Sequence, residues 1–392
     1  MKILVVLPRF PYPLEKGDKL RAYHQIVQLA KRHEVYLFAI SHSSVSPEQR
    51  AALEPYCKEI CIVNPPRWVS YKNVLRNYFS TKSLQLGYWD SKRARRACKA
   101  FIAQVDPDVI YNQMVRTMPL VARVDCPKVM DFQDALSLNT ERRMEQSKGL
   151  WRHILHFEFK MLRSAEYKAM RIFDRLTIIS EADRDAIPHS MSDSIRVVPN
   201  GVDLDYFSRA TTEGNVDLVF CGNMQYEPNI DAAEYLVKEV MPLVWEHRPE
   251  TTLTLAGATP KKSVLALASD RVNVTGTVDD IRPYYAAAKV FVAPMRIGSG
   301  LQNKLLEAMA MGTPCVTTPL AGDTLGAIDG RQLLLGSTAQ ELADSILYLL
   351  ADRTRRVLMA DEAHRFVQHN YTWDKIGDQL ESILNEAANR HL

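Results

Sequence analysis

Short apolar runs recur along the chain with amphipathic stretches between them. Ile3–Leu7, Glu34–Ile40, Asp108–Asn112, Val129–Asp134 and Arg175–Ser180 are short strand-like runs, and Ile195–Asp203 reads as a strand followed by a turn. That pattern predicts strands covered on both faces, as in a parallel sheet. Leu20, Tyr23, Val27 and Ala30 recur at helical spacing and predict a helix over Lys19–Arg32, with Asp18 as its N-cap. A longer amphipathic helix is predicted over Trp151–Phe173. The segment Phe207–Asn215 is then polar and small, and reads as a linker. The same rhythm restarts with strands at Asp217–Cys221, Thr252–Ala256, Val272–Thr275, Val290–Ala293, Cys315–Thr317 and Gln332–Leu335. Helices are predicted at Ile230–His247, Asp280–Ala288 and Trp373–Ala388. The fold expected is α/β, with two Rossmann-like domains facing a cleft.

Composition narrows this picture little. A chain of 392 residues exceeds what one core usually serves. Met1–Leu7 is too soon interrupted by Pro8-Arg9 for a signal peptide and reads as the first strand. The six cysteines are scattered, and Cys57 and Cys61 have no matching second pair. Reduced thiols are expected, with neither a zinc site nor a disulfide framework. Charge is more informative. Residues 1–200 hold 32 Lys+Arg against 21 Asp+Glu, and the remainder reverses the sign. Within residues 67–99, nine Lys/Arg accompany one acid, Asp90, and Trp68, Tyr71, Tyr78, Phe79, Tyr88 and Trp89 are interleaved. Such a mixture suits an anionic membrane surface. No RNA-binding signature accompanies it, so the membrane is favoured over nucleic acid. A solvated helical face with its aromatics in the core remains open.

Candidate chemistry concentrates in Pro294–Pro314. An apolar strand leads into a turn with Gly298 and Gly300, and a helix follows that ends at Gly312. Strand, glycine loop and helix N-terminus together form an anion site. Gly300, Asn303, Lys304 and Glu307 fall on one helical stripe, and Leu301, Leu305 and Met309 on another. The first stripe suits a nucleoside diphosphate with its ribose, or is only the solvated face of a βα unit. A second junction lies at Gly17, among Lys16, Lys19 and Arg21. It is a phosphate or acceptor contact, or a capped helix with a basic rim. Asp131 and Asp134 close a strand where open α/β sheets place ligands. They are candidates for acceptor binding or proton transfer, or for loop solvation and capping.

Four segments carry a family resemblance: Val198–Phe207, Leu306–Pro314, Ile178–Glu181 and Gly17. In their order along the chain and at these separations they resemble the retaining family 4 glycosyltransferases of the GT-B fold. Phe220–Ala232 resembles the exopolysaccharide and PEP-CTERM (exosortase)-associated branch. The resemblance implies domains at residues 1–207 and 216–372, a linker at 208–215, and a terminal helix, 373–392, packed back on the first domain. It implies transfer of a hexose from a nucleotide diphosphate-sugar, such as a UDP-sugar, to an envelope, exopolysaccharide or lipid-linked glycan acceptor. Glu307 would hold the ribose. The amides of Ser299, Gly300 and Leu301, with Arg296 and Lys304, would hold the diphosphate. Gly17, Gly222, Asn223, Gly257, Gly298 and Asn303 would complete the donor site. Lys19, Arg21, Asp131 and Asp134 would face the acceptor, and Asp131, Asp134 and Glu307 are the catalytic candidates. No metal and no cofactor would be required. The expected location is cytoplasmic, peripheral on the inner membrane.

Three departures from the family pattern stand out. The first of two expected glutamates is Ser299. The cations expected after the first strand of the second domain are replaced by Asn223 and Gln225, leaving Arg296 and Lys304 to compensate. The expected His-Asp reads Gln133-Asp134. A nucleotide-sugar epimerase on the same fold and a catalytically degenerate donor-binding subunit are the alternatives. A dehydrogenase is disfavoured, because no Gly-x-Gly-x-x-Gly follows the first strand.

Overall fold

The computed structural model describes the chain except residues 15, 81, 188, 210–215, 299, 300 and 390–392. The chain forms two units, Met1–Pro199 with Trp373–Leu392, and Asn200–Thr372. The division therefore falls ahead of the expected linker, of which residues 210–215 lie outside the described ones. An isolated bridge between Val202 and Thr372 ties the segment after Pro199 into the second unit.

The first unit is built on seven strands: β1 (Lys2–Leu7), β2 (Glu34–Ile40), β3 (Glu59–Val63), β4 (Val109–Gln113), β5 (Lys128–Asp131), β6 (Arg175–Ile178) and β7 (Ile195–Val197). Their order is β3-β2-β1-β4-β5-β6-β7, with every pairing parallel. The near-continuous apolar runs follow from this. Leu4 and Val6 enter the core on one face, while Ile3, Val5 and Leu7 enter the core on the other. The edge strand β3, which starts at a glutamate, stood outside the sequence pattern. The first helix, α1 (Gly17–Ala30), starts earlier than expected, with Lys16 at the N-cap position. Asp18 is thus in the first turn rather than capping, and pairs with Arg9 at 3.0 Å. Strand β5 stops at Asp131 because Gln133 takes a φ of 61°, which breaks the ladder before Asp134. Helices α2 (Arg67–Phe79) and α3 (Leu84–Trp89) form a hairpin, and α4 (Gly149–Ile172) is the long amphipathic helix.

The second unit holds β8 (Val216–Cys221), β9 (Leu253–Ala256), β10 (Val272–Val274), β11 (Ala288–Ala293), β12 (Cys315–Thr317) and β13 (Leu334–Leu335). The order is β10-β9-β8-β11-β12-β13, again all parallel. The strand order therefore reverses between β8 and β11, the position at which open α/β sheets take ligands. The helix expected over Ile230–His247 is interrupted. Helix α5 (Glu227–Tyr235) passes into a π-turn, Leu236–Val240, before the helix Met241–His247. Pro242, near the start of the latter, lacks the N–H that would continue the ladder. Helix α6 (Asn303–Ala310) begins at Asn303, so Leu301 lies in the loop before it.

The last helix, α7 (Trp373–Ala388), lies on α1 in the first unit. Ile376, Leu380, Ile383 and Leu384 are buried there, and Trp373 stacks on His24 with centroids 4.5 Å apart. A Cβ on Gly377 would lie 2.7 Å from Cβ of Gln28, so glycine permits this close approach. All six cysteines are free, and all but Cys61 are buried. Among the described residues, no helix is long and apolar enough to cross a membrane.

Candidate functional site

The second unit brings its candidates together at the reversal of strand order. Gly222 follows β8 and Gly257 follows the neighbouring β9. Gly257 has a φ of 146°, and a Cβ there would lie 1.8 Å from the Gly222 carbonyl oxygen. A Cβ on Gly222 would lie 2.7 Å from Nδ2 of Asn229. The two strand ends thus meet at backbone contact, with the Asn229 side chain of α5 against Gly222. Asn229 is buried and acts on both sides. Its Nδ2 donates to the Asn223 carbonyl at 3.0 Å, and its Oδ1 accepts from Lys304 Nζ. The Asn223 side chain accepts from the Gln225 amide at 2.9 Å, which shapes the loop.

Lys304 and Glu307 lie one turn apart on α6. Lys304 Nζ is 4.9 Å from the Phe220 ring centroid and 3.8 Å from Met295 Sδ. Among the described residues no carboxylate pairs with it. Burial pushes its pKa down to about 8, against the opposing influence of Glu307. Burial also raises the Glu307 pKa, while the Tyr285 hydroxyl and Lys304 oppose the rise. Tyr285 OH donates to Glu307 Oε2 at 2.8 Å, and Tyr285 is itself buried. The site therefore offers a poorly compensated cation and an oriented carboxylate side by side.

The remaining second-unit candidates divide. Asn303 Oδ1 accepts from Asn200 Nδ2 at 3.0 Å, which ties the first residue of α6 to the Val198–Phe207 segment. Gly298 has a φ of 132°, a conformation that favours glycine, and Leu301 is buried. Ser299 and Gly300 lie outside the described residues. Arg296 does not join Lys304. It pairs with Asp231 at 2.8 Å and Glu239 at 3.4 Å, and stacks on Tyr235 at 4.0 Å. Asn229 and Asp231 are two positions apart on a helix, about 200° around its axis, so the two cations take different sides of α5. The expectation that Arg296 compensates for the missing basic residues is corrected on this ground: its charge is already matched by two carboxylates.

The first unit corrects two further expectations. Arg21 and Asp131 are not acceptor-facing, and Asp131 is not a free catalytic carboxylate. They are fully buried and face each other bidentately, at 2.7 Å from Nε to Oδ2 and 3.2 Å from Nη2 to Oδ1. Asp131 also accepts from Tyr111 OH at 2.7 Å and from the Gln133 amide at 3.2 Å, and Arg21 donates to the Pro199 carbonyl at 3.1 Å. Burial would raise the Asp131 pKa, but Arg21 and these donors hold it below the ordinary range. This pair fixes α1 to β5. Lys19 donates to the Tyr12 carbonyl at 3.2 Å, and Gly17 begins α1 with open space where a Cβ would stand.

Asp134 behaves differently. It is half-buried past the end of β5, and its pKa is pushed up to about 7 by burial and by Asp183 and Asp18, with Arg116 and Arg21 opposing. Arg116, after β4, donates to Gln85 Oε1 at 3.0 and 2.7 Å and has its own pKa pushed down to about 10 by burial and Arg9. Arg9, Arg116, Asn229 and Tyr285 were not singled out from the sequence. For Tyr285 and Asn229 the only signal was a polar group placed among apolar neighbours; Arg9 and Arg116 each follow a strand that closes at the ligand edge of the sheet.

Two all-parallel Rossmann-like units, the second with a cation and a carboxylate at its switch point, define the GT-B class of glycosyltransferases. Comparison with known proteins agrees. Residues 20–206 match the family described as Glycosyltransferase Family 4, and residues 215–352 match Glycosyl transferases group 1. The chain belongs to the family 4 glycosyltransferases. It is 22% identical, over 98% of its length and 99% of the relative's, to an uncharacterized 44.6 kDa protein in the cps region of Klebsiella pneumoniae. It is 30% identical to a GDP-mannose-dependent monoacylated alpha-(1-6)-phosphatidylinositol monomannoside mannosyltransferase of Corynebacterium glutamicum, across 48% of this chain and 55% of that one. Among solved structures, Anabaena Alr3699/HepE in complex with UDP and glucose shares the fold, with a TM-score of 0.68 and 16% identity over 97% of this chain and 99% of that one.

Proposed function

We propose that this glycosyltransferase moves a hexose from a nucleotide diphosphate-sugar, with retention, to an envelope or exopolysaccharide precursor, including lipid-linked ones. The observation that carries the reading is Lys304, a half-buried cation with no carboxylate paired to it among the described residues, one turn from Glu307 on α6. A diphosphate supplies the missing negative charge, and a ribose diol suits the Glu307 oxygen that Tyr285 leaves free. Gly222 and Gly257 keep the floor of the site at backbone level. The leaving group is a nucleoside diphosphate, and Lys304 with the loop amides before α6 stabilises the charge developing on it without a metal. Asp134, with its pKa near neutrality, is the residue proposed for contact with the acceptor hydroxyl. The curated relatives include GDP-mannose-dependent enzymes and a lipopolysaccharide core mannosyltransferase, and the Anabaena structure holds UDP. Both UDP- and GDP-hexoses are therefore the donors to try first. An anionic bilayer surface is the third partner in this reading, met through residues 67–99.

The test is incubation with UDP-, GDP- and ADP-hexoses in the presence of a chelator, with and without a lipid-linked acceptor. Acceptor-dependent release of nucleoside diphosphate, with the anomeric configuration kept by NMR, is expected. Conversion of the donor sugar without acceptor would identify an epimerase instead. Nucleotide binding without turnover would identify a donor-binding subunit.

A further inference from the structure

Helix α2 is packed inside out. Its inward face is polar: Ser70, Asn73 and Asn77 are buried. Asn73 Nδ2 donates to the Asp90 carbonyl at 2.7 Å and Asn77 Nδ2 to the Ser83 carbonyl at 2.8 Å. Gly87 on α3 permits the contact, since a Cβ there would lie 2.6 Å from Asn77 Nδ2. The start of α3 is in turn held by Glu158 of α4, which accepts from Ser83 Oγ and the Leu84 amide, both at 2.7 Å. Side-chain amides bonded to backbone carbonyls thus hold α2 to α3, where apolar side chains ordinarily would.

The large apolar residues of α2 point the other way. Trp68, Tyr71, Leu75 and Phe79 are spaced three or four apart, and so share one face. They are 66%, 63%, 61% and 78% exposed. The face continues onto another helix. Tyr78 meets Phe157 of α4 with ring centroids 5.2 Å apart, and in the first turn of α4 Leu150 and Trp151 are 76% and 54% exposed. Basic residues surround it: Arg67, Lys72, Arg76 and Lys82 around α2, Lys148 and Arg152 at α4, all exposed. None of the six forms an ion pair among the described residues, and α2 carries no acid.

From this inverted helix and its basic rim we infer that the α2 face, with the first turn of α4, docks on the interface of an anionic lipid bilayer. The inference deepens the membrane part of the reading above by naming the surface, and extends it to Leu150 and Trp151, outside residues 67–99. Exposed apolar patches of this kind mark interaction sites. Trp, Tyr, Phe and Leu interleaved with Lys and Arg is the composition of a helix lying at the head-group level. A second copy of this chain fits less well, because a two-fold contact would set two basic rims against each other.

The test is co-sedimentation of the full chain with phosphatidylcholine vesicles, with and without phosphatidylglycerol. Binding is expected to the anionic vesicles, to weaken with salt, and to fall at least tenfold in Leu75→Ser/Phe79→Ser. Lys72→Gln/Arg76→Gln/Lys82→Gln is expected to lose affinity on the order of a hundredfold, about fivefold per cation, and most of its salt dependence. Leu150→Ser/Trp151→Ser, on a separate helix, keeps the test open if the α2 variant fails to fold, as judged by its circular dichroism. The proposal is overturned if the native chain ignores anionic vesicles or if the apolar variants bind like it. It is also overturned if Leu75→Ser/Phe79→Ser instead splits a solution dimer. A chain that transfers sugar to a soluble acceptor yet ignores vesicles defeats this proposal alone and leaves the catalytic reading standing.

Discussion

Lys304 allows the donor-site reading to be tested without knowing the sugar. With its pKa pushed down to about 8, the free protein carries this charge only below mildly alkaline pH. A bound diphosphate stabilises the ammonium and raises its pKa, so binding is coupled to protonation. Affinity is then full below the free pKa and lost as pH rises through it. The protonated fraction falls from about three quarters at pH 7.5 to about 3% at pH 9.5, so affinity for UDP or GDP is expected to drop about 25-fold over that range. The second pKa of a phosphate, about 6, lies below this window and does not contribute. Removing the ammonium altogether, as in Lys304→Met, forfeits a charge-assisted contact worth about 1.5–3 kcal/mol, or roughly ten- to a hundredfold in affinity. The assay is isothermal titration calorimetry with each nucleotide in chelator, repeated in two buffers of different ionisation enthalpy to count the proton taken up. A native affinity flat across this range, or a Lys304→Met chain that binds as the native one does, would refute the reasoning.

Breaking the buried pair in either Asp131→Asn or Arg21→Met leaves one charge unmatched, a loss of about 3–5 kcal/mol. Calorimetry is expected to show the melting transition of the first unit fall by about 6–20 °C, with UDP and GDP binding by the second unit retained. Unchanged melting with abolished transfer would instead restore Asp131 to a catalytic role. Gly257→Ala forces a Cβ against the Gly222 carbonyl at a φ of 146°, and is expected to cost about 3 kcal/mol or more and to abolish nucleotide binding; a well-folded, nucleotide-binding variant would count against the site. Asp134 is raised to about 7, so its ionisation destabilises the fold as pH climbs from the ordinary carboxylate range through 7. Asp134→Asn should therefore raise the melting temperature most at pH 8, leave it unchanged only below the ordinary carboxylate range, near pH 3, and remove the acid limb of the activity profile.

The doubly wound architecture was legible because parallel strands covered on both faces run apolar at consecutive positions, as Ile3–Leu7 of β1 and Val290–Ala293 of β11 do. Gly222 and Gly257 were legible as the residues that end β8 and β9, and the Lys304–Glu307 stripe because helical spacing alone puts both on one side. Short β3 was not legible, since an edge strand starting at a glutamate carries little pattern. Nor was the fate of the charged groups. Sequence marks a residue as a cation or a carboxylate, but pairing depends on which segments the fold brings side by side. Arg21 and Asp131 are 110 positions apart and neutralise each other; Arg296 is matched by Asp231 and Glu239; Lys304 meets an amide, a thioether and a ring, with no carboxylate paired to it among the described residues. The basic-aromatic segment shows the same division. Composition announced it, but only packing decided that the polar face of α2 would turn inward, because the amides of Asn73 and Asn77 find backbone carbonyls there and the aromatics do not.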